Sequence, residues 1–238
     1  ASAEAAIDRA ADSFTLTAPL TISSEAGNPR FVIAAPIEAR AASGLNARIA
    51  PLRQDAPALL LNWPGPTLTG AVELQLSGGG APNASLLLDT VTWSPEAPFE
   101  ADGTLTLTNW RADTASIAAE EIGLTISAGR EDGGSIELRG PVQITGPLGD
   151  GEVRDLTPNL NVTIAWGNGW RVTPNGGCLP TRLGGLDAAG LSFANGDLSL
   201  CALNGALIAA DTHGNLAGGF TIRSLALNGR MAGEAAQP

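Results

Sequence analysis

The 238-residue sequence predicts an all-β fold, built as a long antiparallel meander, on three observations. Apolar and polar residues alternate with a period of two in many short runs, which is typical of half-buried strands. Clusters of turn formers, such as residues 77–80 and 131–134, separate these runs at short intervals. Helix signals are confined to residues 4–13 and 114–121, so we expect few short helices.

The alternation starts near the N-terminus and returns along the chain. In the first run the apolar residues are Phe14, Leu16, Ala18, Leu20 and Ile22, with Thr or Pro between them. Later runs place apolar residues at Val72, Leu74 and Leu76; Leu105 and Leu107; Leu124 and Ile126; Ile136 and Leu138; Val142 and Ile144; Val162, Ile164 and Trp166; Leu198 and Leu200; Phe220 and Ile222; and Leu225 and Leu227. The intervening residues are mostly polar. Each strand is therefore predicted to have one apolar and one polar face.

The clearest hairpin signal lies between Trp166 and Trp170. The dipeptide Asn168-Gly169 between them tolerates the positive φ angles of a type I′ turn. We therefore predict a tight hairpin with an indole on each side of the turn.

Composition excludes several classes of protein. Apolar residues make up 44% of the chain, which is too many for a disordered protein. The 13 basic residues face 24 acidic ones, giving a net charge of −11, and this balance argues against a nucleic-acid partner. The sequence begins with neither a signal peptide nor an initiator methionine, and its last residues form no recognisable terminal motif. We therefore expect residues 1–238 to be one elongated β domain from a longer chain.

No catalytic or metal-binding motif is present. Asp211 and His213 lack a nucleophile to complete a triad, and a surface loop is the favoured interpretation. Asp150, Glu152 and Asp155 could offer oxygen ligands to calcium, but their spacing favours a solvated turn. The adjacent pair at 120–121 should point to opposite faces of a strand. We predict no catalytic residue, no metal ligand and no cofactor, and the chain is not expected to be an enzyme.

The tryptophans and cysteines leave alternatives open. Indole faces could stack on sugars, but sugar-binding surfaces usually also contain tyrosine, which this chain lacks. The favoured interpretation is that the tryptophans fill the core or lie at strand ends. They are Trp63, Trp93, Trp110, Trp166 and Trp170. Cys178 and Cys201 are too few for a disulfide scaffold. They form either a single structural disulfide or two buried thiols.

The C-terminal third resembles a known family. The run Cys178-Leu179-Pro180 is followed by the step Ala189-Gly190-Leu191 and by a strand that closes on Leu200-Cys201. Together with residues 218–220 and 225–230, this pattern is similar to the YdbH-type proteins of the AsmA-like superfamily. The similarity covers residues 160–230. The first 150 residues share with the family only the general pattern of short alternating strands and turns, and the type II secretion protein N family also has this pattern.

This resemblance implies a long sheet folded over into a U-shaped groove, the β-taco, with a continuous apolar concave face. It implies a periplasmic protein, tethered to the inner membrane by a segment outside this chain, that conducts phospholipid toward the outer membrane. The partner implied is a small outer-membrane lipoprotein, or another envelope protein, that extends the sheet by β-augmentation.

We predict that the alternating aliphatic residues line the lipid groove. The predicted lining residues are Leu74, Leu76, Leu105, Leu107, Leu124, Ile126, Ile136, Leu138, Val162 and Ile164. Few aromatic residues and many Ala and Leu favour a smooth face for acyl chains over an interdigitated sandwich. The alternative function is a structural or assembly component of a cell-envelope complex, like secretion protein N. A third is a carbohydrate-binding β-protein.

Overall fold

The computed structural model describes residues 2–7, 12–25, 27–129, 133–148, 151–188 and 191–231. Regular structure in these ranges is entirely β-strand, so the all-β, antiparallel prediction is confirmed. No helix in these ranges could reach across a membrane. The twenty strands are β1 Ser2–Ile7, β2 Asp12–Thr17, β3 Thr21–Glu25, β4 Asn28–Ile33, β5 Ile37–Ala41, β6 Asn46–Pro51, β7 Leu59–Asn62, β8 Thr67–Ser77, β9 Ala84–Trp93, β10 Phe99–Ala112, β11 Ala115–Ala128, β12 Gly134–Pro141, β13 Gln143–Leu148, β14 Gly151–Gly167, β15 Gly169–Pro174, β16 Cys178–Ala188, β17 Leu191–Ala202, β18 Ile208–Ala210, β19 Leu216–Gly218 and β20 Phe220–Met231.

Both predicted helices are wrong where the structure describes them. Strands β1 and β2 cover most of residues 4–13 and pair with each other, while residues 8–11 lie outside the described ranges. Residues 115–121 belong to β11. Helix propensities differ by less than about 0.7 kcal/mol per ordinary residue. Hydrogen bonding to a neighbouring strand and burial of Ala119 and Ile122 outweigh so weak a preference.

The chain divides into two compact units. The first contains residues 1–108 and 123–136, and the second contains residues 109–122 and 137–238. Strands β10, β11 and β12 contribute residues to both units. The single elongated domain and its folded-over shape stay predictions.

In the first unit, the long strand β8 joins two arms of the sheet. One edge of β8 pairs with β9 over its length. On the other edge, residues 67–70 pair with β7 and residues 72–77 pair with β6. From there one arm continues through β5, β2 and β1, and the other continues through β4 and β3.

A β-bulge interrupts the alternation where the two arms meet. Leu88 and Val91 are both buried although they are three residues apart, because Asp89 and Thr90 together oppose a single position of each neighbouring strand. Such a bulge bends the strand and increases its twist. On the neighbouring strand β10, Gly103 lies opposite Leu88, beside the bulge. Glycine is needed at this position because a Cβ atom would overlap the carbonyl of Leu87.

In the second unit, the 17-residue strand β14 has the same central place. It pairs with β13 on one edge, and with β16 and then β15 on the other. The arms continue through β17 and β20, and through β18 and β19. Bulges with positive φ occur at Asp155, Asn195 and Ser224. A core cluster of Val153, Leu183 and Leu198 packs beside them.

Two local predictions are corrected by the structure, one by the register and one by the burial pattern. Trp166 lies directly opposite Trp170, so the turn has three residues, and only its glycines have positive φ. The type I′ turn at Asn168-Gly169 is therefore wrong, because that turn needs positive φ at both positions. The prediction that Glu120 and Glu121 point to opposite faces, one of them toward the core, is also wrong. Both are exposed, and the buried residues on either side, Ala119 and Ile122, are three positions apart instead of two.

Gly169 is expected to be more sensitive to substitution than another glycine with a similar backbone angle. Gly169 and Gly177 have φ of 89° and 76°, but only at Gly169 would a Cβ atom overlap a backbone atom, the carbonyl oxygen of Ala210. Gly177→Ala should lower the free energy of unfolding by about 1 kcal/mol from backbone strain, and Gly169→Ala by about 2 kcal/mol because a clash is added. Urea unfolding of both variants measures the difference. Equal losses would contradict the close approach.

Candidate functional site

Aliphatic side chains form continuous rows across the first unit. Residues directly opposite each other on paired strands have their side chains on the same face. The first row runs through Ile37, Ile49, Leu74, Leu86 and Leu105. The second runs through Leu16, Ala39, Ala47, Leu76, Ala84 and Leu107. We call these two rows the aliphatic rows; they bring together four of the predicted lining residues.

The aliphatic rows are only partly covered. Every side chain in them is half-buried, neither enclosed in a core nor fully exposed. At the bulge, by contrast, Val72, Leu88 and Val91 are buried. Among described residues the only large side chain with less than 2% exposure is Ile122, which belongs to the second unit. The rows therefore leave apolar surface that an apolar ligand could cover.

The other six predicted lining residues differ in burial. In the first unit Leu124 is buried, and Ile126 and Ile136 are half-buried. In the second unit Val162 is buried at 3% exposure, so its side chain is part of the core. Leu138 and Ile164 in that unit are half-buried. Their role as a lipid lining stays a prediction.

Several members of the aliphatic rows were not among the predicted lining residues. Ile37 and Ile49 flank the predicted set on β5 and β6, and their period-two signal is present because Glu38 and Arg48 alternate with them. Leu86 was hidden in the run of three leucines at 86–88. In that run Leu86 and Leu88 share the apolar face, while the continuous apolar sequence conceals the alternation.

The opposite face of the same strands is polar. A row of Glu38, Arg48, Gln75, Ser85 and Thr106 crosses β5 to β10. On this face Arg40 forms an ion pair with Glu38 at 2.9 Å, and the Gln75 side chain donates a hydrogen bond to Glu73 at 2.7 Å. Both interactions are exposed, so they add little stability. Their effect is to keep this face hydrated.

Three surface clefts in the described part of the chain lie beside polar side chains. A cleft of about 380 Å³ follows the polar row beside Glu38 and Gln75. In the second unit, clefts of about 570 Å³ and 500 Å³ adjoin each other at Arg182 and Asp197. None of these three clefts is lined by a predicted lipid-groove residue or by a tryptophan. They supply neither an enclosed acyl pocket nor an aromatic sugar platform.

The second unit has an aliphatic row with one buried member. It runs through Ile117, Ile144, Leu156 and Leu183. Leu183 is only 4% exposed and contacts the core cluster with Val153 and Leu198, whereas the other three residues are half-buried. Gly196, opposite Leu183 on β17, has no side chain to extend the row. This unit therefore encloses part of its apolar face in its own core.

Two of the acidic residues considered for catalysis or metal binding, Asp211 and Asp155, have hydrogen-bond partners in the structure. The Asp211 carboxylate accepts hydrogen bonds from the side chain and backbone of Asn215 and from the backbone of His213, which lowers its pKa. This arrangement agrees with a surface turn. Asp155 accepts a hydrogen bond from Gln143, and Asp150 lies outside the described residues. Within the described ranges, no three acidic, histidine or cysteine residues cluster as a metal site.

Cys178 and Cys201 form a disulfide, which decides between the two alternatives. They are directly opposite each other where β16 begins and β17 ends. The ladder between these strands runs from this pair to Ala188 and Leu191 at its other end. The disulfide therefore links the two strands at the end of the ladder that is farther from Ala188 and Leu191.

Comparison of the chain with protein-family models, with curated proteins and with solved structures found no match. The resemblance of residues 160–230 to YdbH-type proteins stays a prediction.

Proposed function

We propose that this chain is a segment of a periplasmic phospholipid-transfer protein, which holds acyl chains against the aliphatic rows. The observation that carries the proposal is the pair of continuous rows across β5, β6, β8, β9 and β10, whose side chains are all half-buried. A protein with an ordinary core would bury such rows. Here they retain accessible apolar surface on one side of a sheet whose other side is polar.

The dimensions and energetics suit an acyl chain. Strands lie about 4.8 Å apart, so a row that crosses five strands is roughly 19 Å long. The hydrocarbon of one membrane leaflet is about 15 Å thick, half of a bilayer core. Each methylene that leaves water contributes about 0.8 kcal/mol. A chain lying along the rows would thus bind without a specific polar contact, in keeping with a face built from Leu, Ile and Ala.

The disulfide supports the proposed compartment. Disulfides persist in oxidising compartments such as the bacterial periplasm and are rare in the cytosol. Cys178 and Cys201 account for both cysteines of the chain, and both are in the bridge. We place the protein in the periplasm, tethered to the inner membrane through a segment outside this chain.

Mass spectrometry of lipids that co-purify with the protein tests the proposal. The wild-type chain should carry phospholipid, and Leu74→Glu should carry at least about tenfold less, because a carboxylate in the row cannot be buried against an acyl chain. Gln75→Glu is the matched control: it adds the same charge to the next residue, on the polar face, and should carry as much lipid as the wild type.

Circular dichroism establishes that the variants are folded. If Leu74→Glu does not fold, Leu105→Asn in the same row replaces it. Lipid-free wild-type protein, or equal lipid in Leu74→Glu and Gln75→Glu, would contradict the proposal.

The edges of the sheet favour one alternative, a structural or assembly component of the cell envelope. Among the pairings whose register is described, β3 pairs only with β4, and β20 pairs only with β17. An edge strand offers backbone groups to a strand of another protein. An outer-membrane lipoprotein or another envelope protein could extend the sheet there by β-augmentation. Under this alternative, purified protein would lack phospholipid but would bind the partner.

A further inference from the structure

Two turns lie at the same end of four strands in the second unit. Residues 167–169 connect β14 to β15, and residues 211–215 connect β18 to β19. Because β15 pairs with β18, the side chains beside these turns form one row; it contains Trp166, Trp170, Ala210 and Leu216. We call this the tip row. Its three large members are exposed, Trp166 by 37%, Trp170 by 39% and Leu216 by 68%.

The next row back from the turns extends the apolar surface. It contains Ile164, Val172 and Ile208, and Ile208 is 38% exposed. On the other face of these strands, the residues between the two rows are Ala165, Arg171, Ala209 and Ala217. The end of this four-stranded section thus presents large apolar side chains on one face, and three alanines with Arg171 on the other.

Charge is depleted around the tip row. Arg171 and Asp211 are the only formally charged residues in segments 159–180 and 198–222, although 16% of the whole chain is charged. The Asp211 carboxylate accepts three hydrogen bonds within its own turn, at 2.8 to 3.0 Å. An exposed apolar patch of this kind marks an interaction site, because soluble surfaces seldom concentrate large apolar side chains without charges among them.

We infer that the tip row inserts into the interface of a lipid bilayer. Tryptophan favours the boundary between headgroups and hydrocarbon, where its ring is buried and its N–H group can find a partner. Leu216 and Ile208 would reach the hydrocarbon beside it. A bilayer fits better than a protein surface because two exposed tryptophans lie beside exposed Leu216 and Ile208, a combination typical of side chains at the membrane interface. The inference rests on the proposed function, which makes the membrane the source of the bound acyl chains.

The charge pattern specifies the kind of membrane. The chain has a net charge of −11, and the patch contains one arginine and one aspartate. Attraction to anionic headgroups therefore contributes little, and insertion should be driven by apolar burial. Binding to zwitterionic vesicles should be insensitive to salt, because salt screens only interactions between charges.

Flotation with phosphatidylcholine vesicles tests the inference on the full chain. The wild type should float with the vesicles at low and at high salt. Leu216→Glu and Trp170→Ser should bind at least about tenfold more weakly, since each removes apolar burial and the first adds a charge. Leu20→Glu is the matched control, because Leu20 is also exposed, by 57%, and lies outside the tip row. This control should float like the wild type.

Three outcomes would overturn the inference. These are a wild type that does not float, a control that loses binding as much as Leu216→Glu, and a tip row that mediates self-association without binding vesicles. Far-UV circular dichroism verifies that each variant retains its strands. Brominated lipids that quench tryptophan fluorescence in the wild type, and less in Trp170→Ser, provide a second readout.

The same variants separate this inference from the proposed function. Leu216→Glu should fail to float yet still co-purify with phospholipid, because the aliphatic rows are intact. Leu74→Glu should float without carrying phospholipid. If the wild type carries no phospholipid but floats, the proposed function fails and membrane insertion stands. If the wild type carries phospholipid but does not float, insertion fails alone.

Discussion

Replacing Leu183 with alanine is expected to lower the free energy of unfolding by about 4 kcal/mol, within the range for large-to-small changes in well-packed cores. Leu183 is 4% exposed and packs with Val153 and Leu198. Its removal leaves a cavity, because the neighbouring strands are held in register and cannot close over the space. The loss therefore includes both transfer of the side chain and the unfilled volume.

Leu74→Ala supplies the comparison for this prediction. Leu74 also lies in an aliphatic row, but its side chain is half-buried. Its truncation should cost about 1 kcal/mol in lipid-free protein, since less area is returned to water and no closed cavity forms. Urea unfolding at equilibrium measures both values. Similar losses for the two variants would show that the first-unit rows are packed as tightly as the core cluster, and would argue against an open face.

Removal of the disulfide is expected to lower the free energy of unfolding by about 3 kcal/mol, from the entropy that the unfolded chain regains. The bridge closes a loop with a sequence separation of 23 residues. Replacing Cys178 and Cys201 with alanine removes it, and Cys201 is buried, so alanine avoids placing a new hydroxyl there. The double variant and reduced wild type should have similar stability.

Reductant provides the control for the disulfide. Dithiothreitol should destabilise the wild type and leave the double alanine variant unchanged. Alkylation of unreduced, denatured protein followed by intact-mass measurement should show no modified cysteine. Two modified cysteines would refute the bridge, and a double variant as stable as the oxidised wild type would refute its contribution.

Simple alternation was sufficient to predict strands but not their boundaries. Val72, Leu74 and Leu76 alternate with polar residues, and they lie in β8 as predicted. The segment at 115–128 was misread at its start because alanine and glutamate favour helices weakly in isolation. Strand pairing is a long-range interaction, so local preference could not reveal that this segment is extended.

Changes of phase within a strand account for the misassigned faces. At the bulge of Asp89 and Thr90, and again at Glu120 and Glu121, two consecutive residues are exposed and the apolar phase changes. A strict period of two then assigns the residues on one side of each change to the wrong face. Bulges depend on the neighbouring strand, as where Gly103 accommodates the Leu87 carbonyl, and no residue type alone marks them.

Composition and alternation were enough to establish an all-β chain with one aliphatic and one polar face, because a period of two is a property of each strand alone. They also located four leucines that share rows on one face, Leu74, Leu76, Leu105 and Leu107. Tertiary structure decided which apolar residues are enclosed, such as Val162 and Leu183, and which retain accessible surface. The pairing of β15, β18 and β19 also brings Trp170 and Leu216, which are distant in sequence, into the same tip row. Burial and cross-strand neighbours depend on register between distant segments, which hydrogen bonding and packing set together.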